Sequence, residues 1–143
     1  MPKSLDLLLE YRQDGRKTWA IRFYQNGLVQ EYSDSEMAFV DGKIVTHSRP
    51  MAWREIAHLS HTELEKVIVT LRQSDFFSLP GKVGDSRRIM DGAQFTWTVN
   101  LDGQLKKVIA TGEEASTNRT IKLLRDMIQE VTANAFDREA GEK

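Results

Sequence analysis

The sequence predicts an α+β fold, an antiparallel sheet of about six strands with two amphipathic helices packed on one face. Five of the nine glycines directly follow Asp or Asn, and such pairs suit type I′ hairpin turns because both central residues need φ > 0. Apolar residues alternate beside most of these pairs, and the helical patterns lie apart from the strand patterns, which is typical of α+β domains. The five pairs are Asp14-Gly15, Asn26-Gly27, Asp41-Gly42, Asp91-Gly92 and Asp102-Gly103.

The first two hairpins are predicted from residues 5–32. Leu7, Leu9 and Tyr11 alternate with polar residues, which predicts a half-buried strand. Strands on both sides of Asn26-Gly27 follow, and a two-residue loop there would place Arg22 opposite Glu31 and Tyr24 opposite Val29.

Residues 33–49 allow two interpretations. Asp41-Gly42 lies between short apolar runs, which indicates either a shorter hairpin or an irregular excursion. Arg49-Pro50 favours extended backbone at Arg49, and we expect this section of the sheet to end there.

The first helix is predicted by a capping box at its start. Ser60 and Glu63 have the required spacing, and Leu59 with Leu64 would form a hydrophobic staple. Apolar residues then follow the helical rule up to Leu71, and the element ends before Pro80-Gly81.

The second half of the chain predicts a loop over 81–93, a hairpin around Asp102-Gly103 and a final helix. Ser116 or Thr117 is expected to cap that helix. Its buried face would consist of Ile121, Leu124, Ile128, Val131 and Ala135.

Length and composition predict one domain over 1–136 and a disordered tail over 137–143. The chain has no Cys, no apolar stretch of membrane-spanning length, no signal-peptide pattern and a net charge of −1. We therefore expect a cytoplasmic protein without membrane contact, either a monomer or a homodimer.

The sequence contains no clear motif for metal binding or catalysis. His58, His61 and Glu65 could share one helix face, but a helix that begins at the Ser60 cap leaves His58 outside it. No nucleophile motif or phosphate-binding loop is present. We assign no catalytic residue, no metal ligand and no cofactor.

The 81–93 loop is the candidate ligand site because connections of this length often bind ligands. Lys82, Arg87 and Arg88 could hold a phosphate or carboxylate, with Asp91 beside them. The alternative is a solvated connection, since Asp85 and Asp91 nearly cancel the positive charge.

Aromatic and basic residues interleave at Trp19, Arg22 and Tyr24, and again at Trp53-Arg54. RNA-binding sheets stack bases on exposed aromatic rings. Here Trp19 is expected in the core and Arg22 is expected to pair with Glu31, so we predict no nucleic-acid partner.

Three segments resemble small bacterial domains of unknown function. They are 23–29 (FYQNGLV), 59–64 (LSHTEL) and 75–80 (DFFSLP). The resemblance covers residues 18–80, its motifs are structural, and it implies no activity and no site residues.

The sequence favours a non-enzymatic binding or regulatory module. It would contact a protein partner or a small anionic ligand through a sheet face or the 81–93 loop. The alternative is a small enzyme with a cleft of dispersed residues that includes Arg87, Arg88 and Asp91.

Overall fold

The computed structural model of the protein describes residues 6–15, 18–84, 94–111 and 117–141. Within them the chain forms a seven-stranded, mostly antiparallel open sheet and two α-helices, which confirms the predicted α+β class. The strands are β1 (Leu7–Asp14), β2 (Trp19–Tyr24), β3 (Leu28–Val40), β4 (Lys43–His58), β5 (Lys82–Val83), β6 (Gln94–Leu101) and β7 (Gln104–Thr111). The helices are α1 (His61–Gln73) and α2 (Arg119–Gly141), and a 3-10 turn spans Phe76–Ser78.

The strand order is β4-β3-β2-β1-β6-β7-β5. Neighbours are antiparallel except β5, which runs parallel to β7. The sheet thus joins a four-strand N-terminal meander to a C-terminal hairpin along β1.

Two of the predicted two-residue turns are confirmed. Asp41 and Gly42 have φ values of 52° and 77°, and Asp102 and Gly103 have 53° and 79°. The flanking residues pair directly in both hairpins, as a type I′ turn requires.

The predicted register of the β2–β3 hairpin is wrong by one residue. Arg22 lies opposite Gln30, and Phe23 lies opposite Val29. The reason is local, because the Asn26 side-chain oxygen accepts a hydrogen bond from the Leu28 amide at 3.0 Å. Asx turns of this kind compete with a two-residue hairpin loop, and the loop becomes one residue longer.

The β3–β4 hairpin extends well past the rest of the sheet. β2 pairs with β3 only as far as Tyr32, whereas β3 and β4 stay paired to the Asp41 turn. We call residues 33–51 the arm. The segment left open between a short hairpin and an irregular excursion is therefore one long hairpin.

Pro50 does not end the sheet, contrary to the prediction. The register changes between Ser33 and Ser35, so Pro50 lies in a bulge where its missing N–H breaks no ladder bond. The Arg54 guanidinium donates to the carbonyls of Ser33 at 2.6 Å and Pro50 at 2.7 Å. These bonds hold the bulged backbone.

The start of α1 is confirmed. The Glu63 amide donates to the Ser60 hydroxyl oxygen at 3.1 Å, and the Ser60 amide donates to the Glu63 carboxylate at 2.7 Å. Arg138 of α2 also donates to the Glu63 carboxylate and, at 2.6 Å, to the His58 carbonyl. The capping box therefore also joins the two helices.

The cap predicted for the final helix is wrong. The Asn118 side-chain oxygen accepts from the Ile121 amide at 3.2 Å, so Asn118, rather than Ser116 or Thr117, caps α2. The helix continues to Gly141, into the segment predicted to be a tail. Disorder over 137–143 stays a prediction.

The sheet divides the described side chains into two faces. We call the inner face the one that carries Tyr11, Ile21 and Trp97, which are cross-strand neighbours. The outer face carries Glu10, Arg22 and their neighbours. The core is one apolar cluster whose largest fully buried side chains are Trp97, Phe23, Phe76, Leu8, Leu9, Leu71, Ile121 and Leu124.

Candidate binding surface

The outer face carries a group of polar and aromatic side chains on the first four strands. Each strand contributes one or two residues at adjacent register positions, and together we call them the outer-face cluster. They are Glu10 (β1), Arg22 and Tyr24 (β2), Gln30 and Tyr32 (β3), and Trp53 (β4).

Arg22 is held from two sides at the centre of this cluster. Its Nε donates to Glu10 Oε2 at 2.6 Å, and its guanidinium carbon lies 3.8 Å from the centre of the Trp53 ring. Burial disfavours the cation, but hydrogen bonds with Glu10 and Tyr24 outweigh it and raise the pKa of Arg22. The predicted pairing of Arg22 with Glu31 is wrong, because Glu31 lies on the inner face and accepts from Trp19 Nε1 at 2.8 Å.

The aromatic members are ordered by contacts within the sheet. The Tyr32 and Trp53 ring centres are 5.4 Å apart, and the Tyr24 hydroxyl donates to Gln30 Oε1 at 2.8 Å. All three rings are half-buried. Met51 follows along β4 with 39% of its surface exposed, so the cluster continues into an apolar part of the arm.

The charges of the outer face are balanced. The Arg22 side chain is 32% exposed and pairs with Glu10, and Arg12 pairs with Asp14 at 3.2 Å. A cation above an indole ring is attracted by the ring quadrupole, which adds to the order of Arg22. The surface is therefore aromatic and preordered rather than strongly basic.

A second feature, a small cavity, lies against the inner face. Its volume is about 90 Å³, and the lining side chains come from β1, β2 and α2. They are Tyr11, Gln13, Trp19, Arg125, Ile128 and Gln129.

Only one of the site residues predicted from sequence lies in the described ranges. Lys82 is exposed on β5, at the sheet edge farthest from β4. Arg87, Arg88 and Asp91 lie outside the described residues. The predicted loop also begins later than expected, because Val83 is buried and the Gly81 carbonyl accepts from the Ile109 amide at 2.9 Å.

The histidines that sequence analysis considered are separated by the helix start. His58 ends β4, and His61 and Glu65 are exposed on α1. Across the described ranges, no group of three His, Asp or Glu side chains is arranged to hold a metal ion.

Within the part of the chain that the structure describes, neither helix is long and apolar enough to cross a membrane.

Sequence reasoning missed the joining of Arg22 to Trp53. The Trp53-Arg54 pair was visible in the sequence. It was not connected with Arg22, because the predicted β2–β3 register was wrong and the sheet was expected to end at Pro50. Alternation through β4 would have placed Trp53 on the same face as Tyr32, and the register shift between Ser33 and Ser35 then sets the two residues opposite each other.

Comparison with known proteins adds no assignment. No protein-family model matches the chain, and no curated protein is significantly similar to it.

Proposed function

We propose that this chain is a non-enzymatic binding module that contacts another protein through the outer-face cluster. The observation that carries the proposal is the stack of Arg22 on Trp53 beside Tyr32. Trp, Tyr and Arg are the residues most enriched among those that dominate protein–protein binding energy.

The order of these side chains supports this function. Rotamer-rich side chains lose roughly 0.5–1.5 kcal/mol each when an interface immobilises them. Arg22 is already held by Glu10 and Trp53, and Tyr24 is already held by Gln30. Folding has therefore already restricted these side chains, and binding of a partner would lose little further side-chain entropy.

The position of the helices also supports this surface. α2 contributes Arg125 and Ile128 to the cavity on the inner face. The hydrogen bonds and ring contacts of the outer-face cluster go to other strand residues of the described chain. We infer that both helices pack on the inner face and leave the outer face for a partner.

A protein fits this surface better than a nucleic acid. Non-specific nucleic-acid binding needs a basic groove that neutralises phosphates. Arg22 and Arg12 are instead each paired with a carboxylate. The other predicted contact region, residues 81–93 with Lys82, and the alternative of a small enzyme around Arg87, Arg88 and Asp91 stay hypotheses.

Site-specific photo-crosslinking tests the proposal. A benzophenone amino acid would replace Met51 in the full chain, because Met51 is 39% exposed on β4 and its replacement leaves Trp53 in place. In a control it would replace Leu105, which is 73% exposed on β7. In extract from the source cells, we expect a discrete protein adduct from position 51 and none of that mass from position 105.

Competition decides the outcome. Excess unlabelled wild-type chain should abolish the adduct, and Trp53→Ala chain of confirmed fold should compete at least about tenfold less well, as loss of a central interface residue implies. Equal adducts at both positions, equal competition by both chains, or an adduct with nucleic acid would contradict the proposed function.

A further inference from the structure

The cavity on the inner face has more hydrogen-bond donors than acceptors. Arg125 is its single charged lining residue, and no hydrogen bond or ion pair joins Arg125 to another described residue. The carboxylate of Glu31, on the same face of the sheet, accepts from Trp19 Nε1 and does not line the cavity. The guanidinium therefore lines the cavity without a carboxylate of the described chain against it.

Tyr11 adds a second donor. Its hydroxyl oxygen accepts from Gln13 Nε2 at 3.1 Å, which leaves its own O–H to donate. Burial, the largest effect, raises the pKa of Tyr11, so the phenol keeps its proton at neutral pH. Tyr11 and Arg125 together present donors to a space that needs an acceptor.

The size of the cavity limits what fits. About 90 Å³ is roughly three times the volume that one water occupies in the liquid. Pockets for drug-sized ligands begin near roughly 300 Å³. The space suits a group of three or four heavy atoms rather than a nucleotide or a sugar.

The remaining walls are aromatic and apolar. Tyr11 and Trp19 meet edge to face, with ring centres 5.9 Å apart. Ile128 of α2 also lines the cavity and is buried. A guanidinium binds a planar carboxylate through two parallel hydrogen bonds, a fit that a single ammonium does not offer.

We propose that this cavity is a carboxylate-binding site, in which Arg125 and the Tyr11 hydroxyl hold the two oxygens of one carboxylate group. The carboxylate comes from a small free acid or from an acidic side chain inserted by a partner. The site lies across the sheet from the outer-face cluster, so either proposal can fail without the other.

Acetate titration followed by NMR tests the site in the ¹⁵N-labelled full chain. The resonances are the Trp19 indole N–H and the carboxamides of Gln13 and Gln129, with chloride at matched ionic strength as the reference. We expect saturable shifts with acetate only. Arg125→Gln should weaken binding about tenfold or more, as loss of a charged hydrogen-bond partner implies.

Arg119→Gln is the matched control, since Arg119 is exposed on the same helix and the charge change is identical. It should bind acetate like the wild type. Should Arg125→Gln fail to fold, Tyr11→Phe removes one donor and keeps the ring, and we expect severalfold weaker binding. Equal titration of the site variant and the control, or the same shifts with chloride, would overturn the proposal.

Two further ligands identify the chemistry. Blocked glutamate that binds as well as acetate supports insertion of a side chain, and acetate binding alone supports a small free acid. Inorganic phosphate that binds more tightly than acetate would overturn the assignment to carboxylate.

Discussion

Gly84 lies where the chain leaves β5, with φ of 99°. A Cβ atom there would lie 2.2 Å from the Thr111 carbonyl oxygen, closer than any real contact. Glycine is therefore required by backbone geometry and by the approach of β7. Val83 rather than Asp or Asn precedes it, so the Asp-Gly and Asn-Gly pattern did not predict this position.

Gly84→Ala should destabilise the protein by about 1–3 kcal/mol, because both the strained φ and the contact with Thr111 must be relieved. Gly81→Ala is the control, since a Cβ at Gly81 has no neighbour within 4 Å. Its effect should stay within about 0.5 kcal/mol. Urea unfolding midpoints measure both, and equal midpoints would contradict the contact.

Among the elements, helix α1 was the most predictable because its signals are local. Ser60 and Glu63 are three positions apart and cap the helix with their own side chains. The β2–β3 register depended instead on competition between the Asn26 side chain and a two-residue turn. Composition alone does not decide which turn forms. One extra loop residue shifted every cross-strand pair of β2 and β3 by one position.

Glu63→Gln should weaken the link between α1 and α2. Burial disfavours the Glu63 carboxylate, but hydrogen bonds from the Ser60 amide and Arg138 outweigh this and lower its pKa below the ordinary value of 4.5. The carboxylate therefore stabilises the fold above that value, and this contribution is lost as pH falls through the lower folded-state pKa.

At pH 7 we expect Glu63→Gln to cost about 1 kcal/mol, because Gln can keep the hydrogen bond of the capping box but loses the charge that strengthens the bond from Arg138. The difference from wild type should shrink as the pH falls below 4.5. Glu65→Gln, at an exposed position in the same turn, is the control and should change stability little. Chemical denaturation at a series of pH values measures this, and a deficit independent of pH would argue against the assigned role.

At the scale of the whole molecule, the apolar core supports the centre of the sheet but not the arm. Its centre is backed by the apolar core, whereas from Ser35 to the Asp41 turn the described strand pairs of β3 are with β4 alone, and the arm exposes Val40 at 47% and Ile44 at 60%. A two-stranded hairpin is marginally stable alone in water. Stability should therefore fall from the sheet centre towards the Asp41 turn.

Native-state hydrogen exchange should show this gradient. We expect the paired amides of residues 43–48 to exchange orders of magnitude faster than those of β1 and β6, which open only with global unfolding. Equal protection of the arm and β1 in a dilute sample would contradict the gradient. Protection that grows with protein concentration would indicate that a second copy covers the arm.

The order of strands was the least predictable feature. Local patterns identified most hairpins, but none of them indicated that β1 would lie between β2 and β6. The cavity depended on the same tertiary contact, since Arg125 meets Tyr11 only when α2 packs on this sheet. The alternation of apolar residues shows which face of a strand is buried, but it does not show which strands lie on either side of it.

The central position of β1 also has a consequence for synthesis of the chain. Leu9 pairs with Val99 and Tyr11 pairs with Trp97, so one edge of β1 stays unpaired until β6 has left the ribosome. The N-terminal meander emerges early with the backbone N–H and C=O groups of that edge open, and unpaired edges of this kind recruit other strands. We therefore expect the nascent meander to be prone to pairing with other chains until β6 occupies the edge of β1.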